Sequence, residues 1–281
     1  MKFARRLRGA RVRSQRMLLV PDQWSGSVQE FYHFLLGYFA PLVLWLEKHP
    51  GRPFSVRDCG PMNPWFDFLP GSPDLEVLTP GDMLHVFAAR SRPSTVLRGM
   101  DDPNRFSPER LAAFRKMVLF ANGISTSSTE QRVTVIDRLS SGSFNKTTAA
   151  EVPASGRDVR STPNLSQLAA CLLEPMEALK WGIVDSAEIP PREQLDLFAS
   201  TTVLVGQHGA GLANMVWMPP GGTVVEIQPP RPDYEPPFFR NLARACGHTY
   251  NRIEQEHDHA EISEGPFHSA IGPLLGTGNA Q

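Results

Sequence analysis

Cysteine is scarce: the 281 residues hold three, Cys59, Cys171 and Cys246, far apart and without paired metal-ligand spacing. That excludes a disulfide framework and a thiolate zinc site, and it sets a reducing cytoplasm as the expectation. No apolar run approaches the roughly 20 residues of a membrane span. The cationic start is followed by only residues 17–20 before Pro21-Asp22, too short for a secretory leader. Charge of one sign is also lacking, with a net of −1, so nucleic acid is not an expected partner. No internal repeat points to a solenoid. What remains is an ordinary globular composition, 41% hydrophobic and 20% charged, in a chain long enough for one large domain or two of common size. One asymmetry stands out: Lys2, Arg5, Arg6, Arg8, Arg11, Arg13 and Arg16 all precede the first acidic residue, Asp22. Such an arm is either solvated or rests on an anionic membrane surface, a peripheral contact with the inner face of the membrane.

The densest signal lies in residues 201–227, TTVLVGQHGAGLANMVWMPPGGTVVEI. A β-branched run ends at Gly206, and Gln207-His208-Gly209-Ala210-Gly211 places small residues where a strand turns into a helix. Small side chains let a ligand approach the backbone, and the N–H groups of a helix start favour an anion such as a phosphate. Residues 212–218 read as a short apolar helix stopped by Pro219-Pro220-Gly221-Gly222. Residues 223–227 restart a strand that carries Glu226 near its carboxyl end.

The run LVGQHGAGLANMVWMPPGGTVVEI resembles the signature of glycosyltransferase family 61, an HGAGL-type turn followed by an apolar helix, a Pro-Gly stop and a strand ending in Glu. The resemblance is dense over residues 192–227. It implies an α/β fold of GT-B type, two Rossmann-like lobes facing across a cleft, here near minimal size. It also implies inverting transfer from a nucleotide-sugar donor to a glycan or lipid-linked glycan acceptor, as in capsular or other cell-surface polysaccharide synthesis, with no metal or other cofactor. The donor side is then assigned to Arg138, His208, Gly209, Ala210, Gly211, Asn214 and Glu226. Arg138 is the counterpart of a family arginine that faces the phosphates, although the basic residue and Asn-Glu pair that usually follow are replaced by Ser-rich residues 140–145 and Lys146. His33, in the segment Glu-Phe-Tyr-His-Phe-Leu-Leu, matches a family histidine in a similar aromatic setting and is the candidate base. Asp22, Asp67 and His85 are further candidates for that role.

Along the chain, Ser27 to Glu30 has capping-box spacing and predicts a helix from about Val28, continued by a second segment at 41–47. Strands are expected at 16–20, 53–59, 75–78 and 83–89, with a loop at 61–71, a turn at Thr79-Pro80-Gly81-Asp82, and broken polar chain over 90–108. Asp101-Asp102 falls in that stretch and reads as solvated loop. Ser107-Pro108 opens a helix to about Ala121. Ser- and Thr-rich residues 124–131 read as a linker, dividing an acceptor-side lobe (1–128) from a nucleotide-sugar lobe (129–260). Strands at 132–136 and 181–184, helices at 164–179 and from Pro191, a turn at 233–237, a helix at 238–246 and a strand at 248–253 complete the second lobe. The chain from Gln255 reads as frayed, including His257-Asp258-His259, and 261–281 as a flexible tail. Two rival functions draw on the same residues. A nicotinamide-dependent oxidoreductase fits Gly209-Ala210-Gly211 and Glu226, but Asn214 stands where the third glycine belongs and Pro219 cuts the helix short. A non-catalytic binder of nucleotide sugars or glycans fits the short length.

Overall fold

The computed structural model describes residues 16–22, 24, 26–88, 92–125, 130–139, 144–146, 151–153, 159–176, 179–231 and 237–275. The basic arm up to residue 15, residues 126–129 of the 124–131 linker, residues 140–143 and the 233–236 turn lie outside them, so the expectations placed there go unaddressed. The chain forms two compact units, one of Met1–Arg105 with Lys116–Asn122, the other of Phe106–Arg115 with Gly123–Gln281.

The first unit is a four-stranded parallel sheet in the order β3-β2-β1-β4, with β1 at Met17–Asp22, β2 at Phe54–Arg57, β3 at Leu75–Leu78 and β4 at Ser94–Arg98. Between β1 and β2 runs one helix, α1, built from Phe31–Phe34, a π-turn at Leu35–Phe39 and Ala40–Lys48. Pro41 has no N–H to offer the carbonyl one α-turn back. The wider turn accommodates it, with Ala40 N–H reaching Leu35 O. The capping-box residues do meet, Ser27 N–H donating to Glu30 Oε2 at 3.4 Å, but in a turn just ahead of the helix.

Three expectations fail in this unit. Residues 61–71 are not a loop: Gly60–Phe68 is a 3₁₀ segment, started by Cys59 N–H donating to Asn63 Oδ1 at 2.8 Å and burying Trp65 and Phe66. Residues 83–89 are not a strand. Pro80–Ala88 is a helix, α2, and the "turn" before it is its cap: Thr79 Oγ1 donates to Asp82 Oδ2 at 2.7 Å while Asp82 N–H returns a bond to Thr79 Oγ1 at 3.2 Å. With Met83 and Val86 packed on Leu18 and Leu78, and Leu84 exposed, the apolar positions follow a helical period. Finally, the polar stretch 90–108 contains β4, which pairs with β1 from Leu18↔Ser94 to Asp22↔Arg98.

In the second unit five parallel strands lie in the order β11-β10-β9-β5-β8: β5 Arg132–Ile136, β8 Lys180–Val184, β9 Val203–Gln207, β10 Thr223–Gln228 and β11 Thr249–Glu254. Phe144–Lys146 (β6) and Glu151–Pro153 (β7) form a separate antiparallel pair. Counted along the sheet, this is the flavodoxin-like 2-1-3-4-5 order, whose switch point falls between β5 and β9. One face of the sheet (Val133, Val135, Val203, Val205, Val225, Ile227) packs under α4 (Leu165–Leu173) and α7 (Glu264–Ile271). α4 stops just before Pro175, which disfavours helical backbone in the residue ahead of it. Residues 264–275 do not fray: α7 and the 3₁₀ turn Gly272–Leu275 bury Phe267, Ile271 and Leu275 in the core. α3 (Pro108–Ala121) opens with Arg110 N–H on Ser107 Oγ at 3.3 Å, as its cap predicts. α5 (Pro191–Ala199) and α6 (Phe238–Ala245) pack on the segment after β9.

Candidate active site

At the carboxyl end of β9 the turn holds the residues expected of it, by a different logic. Gly209 is in extended backbone, so no left-handed conformation requires a glycine. Space does: a Cβ there would sit 2.0 Å from Arg138 Nη2, and one on Gly211 would sit 2.6 Å from Ser186 Oγ. The glycines admit the protein's own side chains, foremost the guanidinium of Arg138. That side chain leaves the end of β5, the other strand of the switch point, and Nη2 donates to His208 O at 3.1 Å. Burial, and next the neighbouring cation of Arg160, pull Arg138 down to about 10, so it keeps its charge at neutral pH.

Arg160 donates to the same His208 carbonyl at 3.2 Å. Sequence reading missed it because nothing near residue 160 marks it. A pair of glutamines delivers it there. Gln207 Nε2 donates to Gln255 Oε1 at 2.6 Å and to Asp258 O at 3.0 Å, and Gln255 Nε2 donates to Ser161 O at 2.9 Å. Asp258, expected in an exposed tail, also pairs with Arg160 at 3.2 Å. Two guanidinium groups thus converge on the His208 carbonyl, beside half-buried Gly209, Ala210 and Gly211, an arrangement suited to a phosphate or pyrophosphate.

His208 and Glu226 are coupled. His208 Nδ1 lies 2.5 Å from Glu226 Oε1, and Tyr250 Oη donates to Glu226 Oε2 at 2.6 Å. The carboxylate, 2% exposed, therefore stands behind the imidazole and fixes its ring. Asn214 departs from its expected place. It is fully buried, donating to Gln194 Oε1 at 3.1 Å and Gly211 O at 3.2 Å, and braces the turn from inside instead of facing a donor. The segment carrying it, Ala210–Trp217, is 3₁₀ rather than the long α-helix of a dinucleotide site.

His33 sits in the first unit, near the amino end of α1 and beyond the carboxyl end of β1. Its side chain is 17% exposed, and Nδ1 lies 3.2 Å from Asp101 Oδ2. Asp101 is no solvated loop residue. It is 1% exposed, and its other oxygen accepts Trp24 N–H at 3.0 Å. The carboxylate holds Nδ1 and so fixes the orientation of the ring. Gly26, at φ +70°, leaves the space the ring fills, since a Cβ there would lie 2.0 Å from the imidazole. Asp101 follows β4, whose pairing with β1 helps bring it 68 positions back to His33. Asp67 and His85 are exposed, and Asp22 ends β1 at the surface. Among the described residues no helix is long and apolar enough to cross a membrane.

No curated protein matches the chain. The family Glycosyltransferase 61 matches residues 31–225, a span that contains His33, Asp101, Arg138, Arg160 and the glycine turn. The chain belongs to glycosyltransferase family 61.

Proposed function

We propose that the protein transfers a sugar from a nucleotide-sugar donor to a glycan acceptor, with inversion at the anomeric carbon and without a divalent metal. The observation that carries this reading is the convergence of Arg138 and Arg160 on the His208 carbonyl at the β5/β9 switch point. Fixed positive charge there replaces a metal in stabilising the leaving nucleoside diphosphate. His208, oriented by Glu226 and Tyr250, adds a directed hydrogen bond to that phosphate group.

In the reaction the acceptor hydroxyl oxygen attacks the anomeric carbon as the bond to the pyrophosphate oxygen breaks. The electron pair leaves on the phosphate, and the hydroxyl proton passes to His33 Nε2. Asp101 stabilises the imidazolium that forms. A single in-line displacement inverts the centre. The reading calls for a two-lobed GT-B arrangement in which donor and acceptor crevices share the transferred sugar. It fits a cytoplasmic enzyme of surface or lipid-linked polysaccharide synthesis.

Isothermal titration with UDP, GDP and NAD is the test, followed by turnover of the matching sugar nucleotides and NMR of the product's anomeric configuration. Binding of UDP or GDP and an inverted product are expected. Binding of NAD alone, or a retained configuration, would overturn the reading, and nucleotide binding without transfer would reduce the protein to a non-catalytic relative.

A further inference from the structure

Each glycine of the turn after β9 makes room for a polar side chain from elsewhere in the second unit: Arg138 over Gly209, and Ser186 over Gly211, where a Cβ would sit 2.6 Å from Ser186 Oγ. The guanidinium has a protein partner in the His208 carbonyl. The hydroxyl has none: Ser186 is half-buried, yet its Oγ makes no hydrogen bond to any of the described residues. Nor does strand pairing by itself bring it to the turn. Ser186 lies two residues past β8, and β5 stands between β8 and β9, so those two strands are roughly 10 Å apart. The chain after β8 arches over the end of β5 to cross that gap, and it is held there. Leu139 N–H, just past Arg138, donates to Asp185 Oδ2 at 3.2 Å, Ala187 N–H donates to Asp185 Oδ1 at 3.1 Å and Glu188 N–H donates to Asp185 O at 3.1 Å. In the sequence Ser186 is one serine in a polar turn; the arch over β5 is what carries it to Gly211.

The groups gathered at this turn decide which way the hydroxyl works. Arg138 and Arg160 converge on the His208 carbonyl beside it, and guanidinium groups donate hydrogen bonds but accept none. A ligand that matches them brings anionic oxygens. Toward such an oxygen a serine is a donor, and the bond has the strength of a charge-assisted one. We propose that Ser186 is a nucleotide-binding residue, its Oγ–H bonding an oxygen of the diphosphate while Arg138 and Arg160 supply the charge. The inference rests on the transferase reading for the identity of that ligand, and it adds the third strand end, β8, to the two that already meet at the turn.

Titration of the full chain with UDP, GDP and inorganic pyrophosphate is the test, for parent, Ser186→Ala and Ser186→Cys. Because the hydroxyl has no protein partner, both variants should keep the parent's thermal midpoint. Ser186→Ala should bind the preferred nucleotide roughly tenfold more weakly, the loss of one hydrogen bond to a charged group, and pyrophosphate should weaken by a similar factor. Ser186→Cys refills the space with a poor hydrogen-bond donor, so it should bind as Ser186→Ala does. Recovery of parent affinity in Ser186→Cys would make Ser186 a space-filler and overturn the inference. So would nucleotide binding that is equal in parent and Ser186→Ala. A penalty confined to the nucleotide, or a parent that binds nucleotide but no pyrophosphate, would move the contact off the diphosphate and overturn it as well. A parent that binds neither UDP nor GDP removes the transferase reading and this inference together, a result distinct from nucleotide binding that ignores Ser186.

Discussion

Each unit of this protein places its candidate chemistry at the switch point of a parallel sheet, yet the two crevices are made from different materials. In the second unit the crevice is mostly backbone and cation: a glycine turn, Arg138 and Arg160. In the first it is side chain and carboxylate: His33, Asp101 and Glu30. The difference suits the task proposed for each. Holding an anion needs N–H groups and positive charge that a compact turn supplies within a few residues. The proposed removal of a proton needs an imidazole held by a partner, and here that partner, Asp101, comes from the chain just after β4.

The contrast makes a separable claim: the first crevice governs the chemical step and the second governs donor affinity. The largest effect is expected from His33→Ala, which should lower kcat by roughly 10²- to 10⁴-fold with the donor Kd unchanged. Asp101→Asn should lower kcat less, again at constant donor Kd. A His33→Ala variant that loses donor affinity while keeping kcat would break the comparison.

Next in size is Phe267→Ala. Phe267 is fully buried against the sheet of the second unit, so urea titration should show a loss of about 3–5 kcal/mol. A loss below about 1 kcal/mol would return the carboxyl-terminal helix to the status of a tail.

Gly209→Ala sharpens the comparison from the other side. The new methyl group displaces only the end of the Arg138 side chain, so thermal stability should hold while UDP or GDP affinity falls roughly 10- to 100-fold, the loss of one charge-assisted bond. Arg138→Ala should match it. If Gly209→Ala instead lowers stability and spares affinity, the guanidinium has no part in donor binding.

The smallest effect concerns pH. Burial pulls His248 below its usual value, and its Nε2 lies 3.0 Å from Met215 O, with the buried Nδ1 lacking a hydrogen-bond partner. The fold therefore keeps this imidazole neutral, while the unfolded chain takes up a proton near pH 6.5. The stability this contributes is complete above about pH 6.5 and is lost as pH falls below that toward the depressed folded value. The drop in thermal midpoint between about pH 7.5 and about pH 5.5 should shrink in His248→Gln. An unchanged drop would assign it to other groups.

Much of the second unit was legible in the sequence because its signals are local. The β-branched runs at Val203 and Thr223 are strands, Pro191 opens a helix and Ser107 caps another. The misreadings have physical causes. Thr79-Pro80-Gly81-Asp82 has the composition of a turn and the hydrogen bonds of a helix cap, because Thr and Asp satisfy backbone N–H groups in either setting. Residues 94–98 form a strand despite their polar context, since β4 is an edge strand with Ser94, Val96 and Arg98 exposed. The final helix escaped notice because Phe267, Ile271 and Leu275 are spaced four apart amid Gly, Ser and Pro.

By itself the sequence determined the glycine turn, its flanking strands and the presence of Arg138 and His33, because backbone geometry and short motifs are written in neighbouring residues. Tertiary structure alone decided that Asp101 holds His33, that Gln207 and Gln255 carry Arg160 to the turn, and that Glu226 faces His208 rather than solvent. Those are contacts between side chains far apart in the chain. Strand pairing and core packing set their distances, which no local pattern encodes.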